Sequence, residues 1–107
     1  MLTGMKTGSE RKRLSLIGAW ILDRSDTEAL AALGDVMLEF DGEGGLVYTV
    51  RGKGKDQINL LRYRVDGATL ITDQPSARKA ERTKFSISKD GVLTMAIDGV
   101  PRQFRRW

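Results

Sequence analysis

Asp41-Gly42, Asp66-Gly67, Asp90-Gly91 and Asp98-Gly99 are four Asp-Gly pairs, each set between apolar runs. Asp-Gly supplies the positive-φ position that a tight hairpin needs. The first three pairs are followed by Leu46, Leu70 and Leu93, a spacing of 24 and then 23 residues. Three imperfect units in 107 residues cannot stack into a solenoid. The spacing is a hairpin rhythm, strand, turn, strand, and it predicts an antiparallel meander.

The runs between the turns alternate with period two, the mark of half-buried strands. Leu46, Tyr48 and Val50 share one face, as do Leu61, Tyr63 and Val65, with Arg62 and Arg64 on the wet side. Phe85 and Ile87, then Leu93, Met95 and Ile97, repeat the pattern. β-branched and aromatic residues on these faces suit a pleated surface. Counting runs and turns gives about eight strands. Thr72 to Arg82 carries Pro75 and several charges without an apolar stripe, and is expected as a solvated loop or an irregular edge-strand segment.

One segment breaks the rhythm. Ser25-Asp26-Thr27-Glu28 has the Ser-x-x-Glu form of a capping box, Ala and Leu follow, and Gly34 can end the turn. A single short helix is expected between the first and second strands, packing by Ala29, Leu30 and Leu33. In the first strand Ile17, Ala19 and Ile21 oppose Leu16, Gly18, Trp20 and Leu22, so both faces are apolar. Either the helix or a second subunit covers the outer face, and a homodimer is expected.

Composition narrows the chemistry. The chain has no His and no Cys, which excludes Ser-His-Asp and Cys-His catalysis, a thiolate nucleophile and disulfides. Zinc held by imidazole and thiolate is excluded as well. No carboxylate or lysine constellation stands out, so a non-enzyme without cofactor is expected. Glu39, Asp41 and Glu43 do not match an EF-hand, since Gly52 stands where its twelfth-position acid belongs. Gly52-Lys53-Gly54-Lys55 matches neither phosphate-binding glycine motif and is expected as a hairpin tip.

The net charge of +4 sits at the ends: +3 in residues 1–13, +3 in residues 102–107 and −2 between them. This basicity keeps open a polyanion or nucleic-acid function, with Phe104 and Trp107 as the stacking candidates. The first thirteen residues lack a signal-peptide core and are expected as a flexible basic tail before a single domain over 14–107. Leu14 to Leu22 is far too short to span a membrane, and a cytoplasmic protein starting at Met1 or Met5 is expected.

Gly18-x-Trp20 at the head of the first strand, the Phe40-Asp41-Gly42 and Leu46-x-Tyr48 hairpin, and the Phe104-Arg105-Arg106 ending together resemble the lipocalin-like (calycin) β-barrels, in particular short bacterial members. The resemblance covers residues 14–107. It implies an up-and-down barrel in which Trp20 sits at the closed end beneath an arginine of the last strand. Arg105 is the first choice for that arginine, with Arg102 and Arg106 as rivals; a guanidinium over an indole face gains cation–π energy.

A barrel of eight strands is just wide enough to be filled by side chains or to hold one small ligand. Trp20, Leu22, Phe40, Leu46, Val50, Leu61, Ile87, Leu93, Ile97 and Phe104 are inward candidates that could fill it. Tyr48, Tyr63, Phe85 and Met95 are the candidates to line a cavity, the two hydroxyls orienting an amphipathic ligand, or else to be ordinary core with hydrogen-bonded tips. The expected function is a non-catalytic barrel that binds a small apolar or amphipathic molecule or serves as an interaction module.

Overall fold

The apolar runs all become strands. A computed structural model describes residues 15–74 and 80–107. They form β1 (Gly18–Leu22), α1 (Thr27–Leu33), β2 (Asp35–Phe40), β3 (Gly45–Arg51), β4 (Gln57–Asp66), β5 (Thr69–Asp73), β6 (Glu81–Ile87), β7 (Val92–Ile97) and β8 (Val100–Arg106). Each strand pairs antiparallel with the next, and β8 returns to β1 through Trp20–Arg106, Ile21–Arg105 and Leu22–Phe104. The result is a closed eight-stranded meander barrel with one short helix, consistent with a lipocalin-like fold. The tail expected over residues 1–13 lies outside the described residues. Among the described residues no helix is long and apolar enough to cross a membrane.

The alternation sets the core. Trp20, Leu22, Phe40, Leu46, Leu93 and Phe104 are buried, and Val36, Leu38 and Leu70 join them. Half-buried Tyr48, Val50, Leu61, Tyr63, Phe85, Ile87 and Ile97 pack around this cluster. Of the two readings of Thr72–Arg82, a loop or an irregular edge-strand segment, its two ends take the second: β5 runs to Asp73 and β6 begins at Glu81. Cross-strand pairing of Thr72 with Glu81 and Ile71 with Arg82 overrides the polar composition.

Turn chemistry departs from expectation at one hairpin. Asp98-Gly99 makes a two-residue connection with both residues at positive φ, +54° and +79°, as a type I′ turn requires. At the first Asp-Gly pair, however, the positive φ belongs to Gly44. There Asp41 works through its carboxylate, which accepts from the Glu43 and Gly45 amides at 2.8 Å. Those bonds hold its pKa below the ordinary 3.8.

The helix is capped by Asp26, not Ser25: the Asp26 carboxylate accepts from the Ala29 amide at 3.0 Å. Ser25 instead donates its hydroxyl to Asp23 at 2.7 Å. Ala29 is fully buried, with Leu30 and Leu33 against the core cluster. The helix therefore lies across one end of the barrel and leaves the outer face of β1 uncovered. Ile17 is 54% exposed, while Ala19 and Ile21 are half-buried. Beside this face, the Trp107 amide donates to the Ala19 carbonyl at 3.0 Å and the Trp107 ring lies 5.8 Å from the Arg51 guanidinium.

Candidate functional site

The two ends of the barrel differ. At one end Trp20 is fully buried, its indole Nε1 donating to the Leu16 carbonyl at 2.9 Å. The cation over its ring is Arg106, with the guanidinium carbon 3.9 Å from the ring centroid. Arg106 also donates from Nη1 to the Ile17 carbonyl at 2.7 Å and from Nη2 to the Ser15 carbonyl at 2.5 Å. Arg105, the first choice for this role, points the other way and lies 3.7 Å from Asp23. The reason is phase: Arg106 pairs with inward Trp20 and Arg105 with outward Ile21. Gly18 belongs to the same arrangement, because a Cβ there would stand 2.7 Å from Arg106 Nη1.

The three arginines of β8 are thus all engaged within the chain. Arg102, inward and 6% exposed, donates to Glu28 of α1 at 2.6 Å. That bond raises its pKa above the ordinary arginine value. This ion pair links the helix to the barrel interior. Of the arginines that kept a polyanion function open, Arg102 and Arg106 are held by internal hydrogen bonds, while the Arg105 side chain remains 59% exposed.

A cavity of about 590 Å³ opens toward the α1 end. Leu38, Leu46, Leu61, Leu70, Met95 and Ile97 form its apolar walls, and Tyr48, Thr72, Thr83, Glu81, Arg82 and Asp98 supply polar groups. Burial pushes the Tyr48 hydroxyl above its ordinary pKa of 10.0, with the Asp98 carboxylate adding to the effect. Apolar walls with a few convergent polar groups, in this size range, suit a small amphipathic molecule.

The four expected lining residues are divided by the structure. Tyr48 and Met95 line this cavity. Tyr63 and Phe85 do not; they border a recess of about 270 Å³ with Ser15, Leu16, Ile17 and Val65 at the Trp20 end. Tyr63 donates its hydroxyl to the Asp41 carbonyl at 2.5 Å and meets Phe40 edge-on, with centroids 5.0 Å apart. Its polar tip is therefore used by the first hairpin. Alternation along a strand fixes which face a residue takes but not its height in the barrel, so all four look equivalent in the sequence. A threonine in an inward phase carries no apolar signal, and Thr72 and Thr83 escape sequence reasoning for that reason.

A separate trough of about 560 Å³ runs on the outer wall past Ala19, Glu39, Val47, Leu60 and Arg62. Register pairing places Leu60 beside Val47 and Ile58 beside Thr49, and Ile58 and Leu60 are 61% and 65% exposed. Among the described residues no group of three or more Asp or Glu side chains is placed to hold a metal ion. No family model, curated protein or solved structure matches this chain.

Proposed function

We propose that the protein is a non-catalytic binding barrel that takes up a small apolar or amphipathic molecule at the α1 end. The observation that carries this is the 590 Å³ cavity, walled by aliphatic side chains and edged by the Tyr48 hydroxyl, Thr72 and Thr83. The absence of His and Cys from the sequence leaves no histidine- or thiolate-based chemistry to perform there. α1 lies over the same end, tied to the wall by Glu28 and Arg102.

Titration of a fluorescent apolar probe, with displacement by alkyl ligands of graded length, tests the proposal. The expected result is saturable binding with one site per chain and an optimum in alkyl length set by the cavity. A probe that remains free in the presence of excess folded protein removes the proposal.

A further inference from the structure

The wall of the barrel parts between β6 and β7. Their ladder covers only Ile87–Leu93, Ser86–Thr94 and Phe85–Met95, whereas β6 begins at Glu81 and β7 continues to Ile97. Among the described residues, Thr72–Glu81 through Thr69–Lys84 pair this part of β6 with β5 alone. Ala96 and Ile97 likewise pair with Pro101 and Val100 of β8 alone. Both lips of the parting, Glu81–Thr83 on one side and Ala96–Gly99 on the other, line the 590 Å³ cavity.

The phase of β6 shows which groups face the parting. The Phe85 amide donates to the Ala68 carbonyl at 2.9 Å, toward β5. Main-chain groups of successive residues point to opposite neighbours in an antiparallel strand. Thr83 and Glu81 therefore turn toward β5 as Phe85 does, and Arg82 turns toward β7. Its N–H and C=O project into the parting, beyond the last rung of the ladder. Thr94 faces Ser86 across that ladder, so the same alternation turns the Ala96 carbonyl toward the parting from the other lip. The lips carry two acidic side chains, Glu81 and Asp98, against one basic one, Arg82. Lys84, on the same stretch of β6 unpaired with β7 but outside the cavity lining, brings the parting as a whole to balance. The rim consequently has no preference for a charged head group, but it presents a strand edge that both donates and accepts.

We propose that the occupant is a neutral molecule with an apolar body and an amide head, seated with its amide in the parting between β6 and β7. The amide carbonyl accepts from the Arg82 N–H, and the amide N–H donates to a main-chain carbonyl of the lips, as an added strand would. The apolar body extends inward against Leu70, Met95 and Ile97. This deepens the binding-barrel proposal and rests on it.

The test compares decanamide, decanoate and decylamine by calorimetry on the full chain, with the backbone amide of Arg82 followed by ¹⁵N–¹H NMR. Decanamide is expected to bind at least tenfold more tightly than either ion and to shift the Arg82 resonance. Equal or tighter binding of decanoate or decylamine overturns the amide assignment and leaves the cavity proposal standing. Failure of all three, together with the fluorescent probe, overturns both. Arg82→Pro removes the N–H at a position where the ladder does not use it. It is expected to cost decanamide at least tenfold in affinity while the apolar probe still binds; unchanged decanamide affinity overturns the assignment. Should that variant not fold, the head-group ranking on the unaltered chain decides.

Discussion

Arg106 Nη1 stands 2.7 Å from where a Cβ on Gly18 would lie, so the glycine makes room for the guanidinium that covers Trp20. Gly18 also holds φ at +123°, a conformation that disfavours any side chain. Gly18→Ala is expected to destabilise the fold by about 1–3 kcal/mol, combining backbone strain with displacement of Arg106. In a double-mutant cycle with Arg106→Ala, the crowding component vanishes and the backbone component stays. Urea unfolding followed by tryptophan fluorescence measures both.

Arg106→Ala alone removes a cation–π contact and two bonds to carbonyls. The expected loss is about 1–3 kcal/mol, discounted for the exposure of the side chain. Lysine cannot reproduce a planar group that stacks and donates to Ser15 and Ile17 together, so Arg106→Lys recovers little. Arg105→Ala is expected to fall within about 0.5 kcal/mol of the parent, as an exposed position should. Equal losses at 105 and 106 in urea melts would contradict this.

Acid sensitivity follows from two aspartates whose pKa values lie below the ordinary 3.8. Asp23 is lowered by hydrogen bonds from Ser25, and Asp41 by the Gly45 and Glu43 amides. A carboxylate depressed in the fold contributes stability that is fully present above the unfolded value. That stability is lost as pH falls through the folded value. Urea midpoints should hold steady from pH 7 to about 5 and decline below pH 4. Asp41→Asn should flatten that decline.

The link between α1 and the barrel is the Glu28–Arg102 pair. Glu28→Ala leaves the Arg102 guanidinium buried with both its Nη1 and its already unpartnered Nε unsatisfied. The thermal midpoint should fall. A second change, Arg102→Met, should recover part of that loss, because an apolar side chain of similar length removes the stranded charge. Calorimetric melts of the two single variants and the double variant establish the order.

Filling the cavity should block it. Thr72→Phe places a ring among Tyr48, Leu61 and Leu70, and is expected to weaken apolar-probe binding at least tenfold with the circular dichroism spectrum unchanged. Ile58→Lys, on the outer face of β4 and away from the cavity, should leave probe binding intact. Fluorescence titration of the two variants side by side checks both outcomes.

The strand pattern was legible because period two and Asp-Gly turns are local signals, and they located Tyr48, Trp20 and Met95 on the inner face. Height in the barrel was not legible. It depends on register between strands, which separated Tyr63 and Phe85 from the cavity; Arg106 over Arg105 is a matter of face, already carried by the inward Phe104 two positions earlier. The inward course of α1 was hidden too: Glu28 and Arg102 meet across 74 positions, a pairing that no short window contains. The parting between β6 and β7 is half legible: its β6 lip begins in the polar Thr72–Arg82 segment, whereas its β7 lip, Ala96–Ile97, lies inside an apolar run and gives no sign that the ladder stops there.

Closure of the barrel joins Ile17 to Arg106, 89 positions apart. Bringing such distant segments together carries a large loop-closure entropy before any contact repays it, and contacts of that kind slow folding. The hairpins β2–β3, β4–β5 and β7–β8 form within short loops and can assemble early. Burial of Trp20 beneath Arg106 accompanies that closure, so in a Trp107→Phe variant, where Trp20 is the remaining indole, its fluorescence is expected to report the conversion of an open, edge-exposing sheet into a barrel.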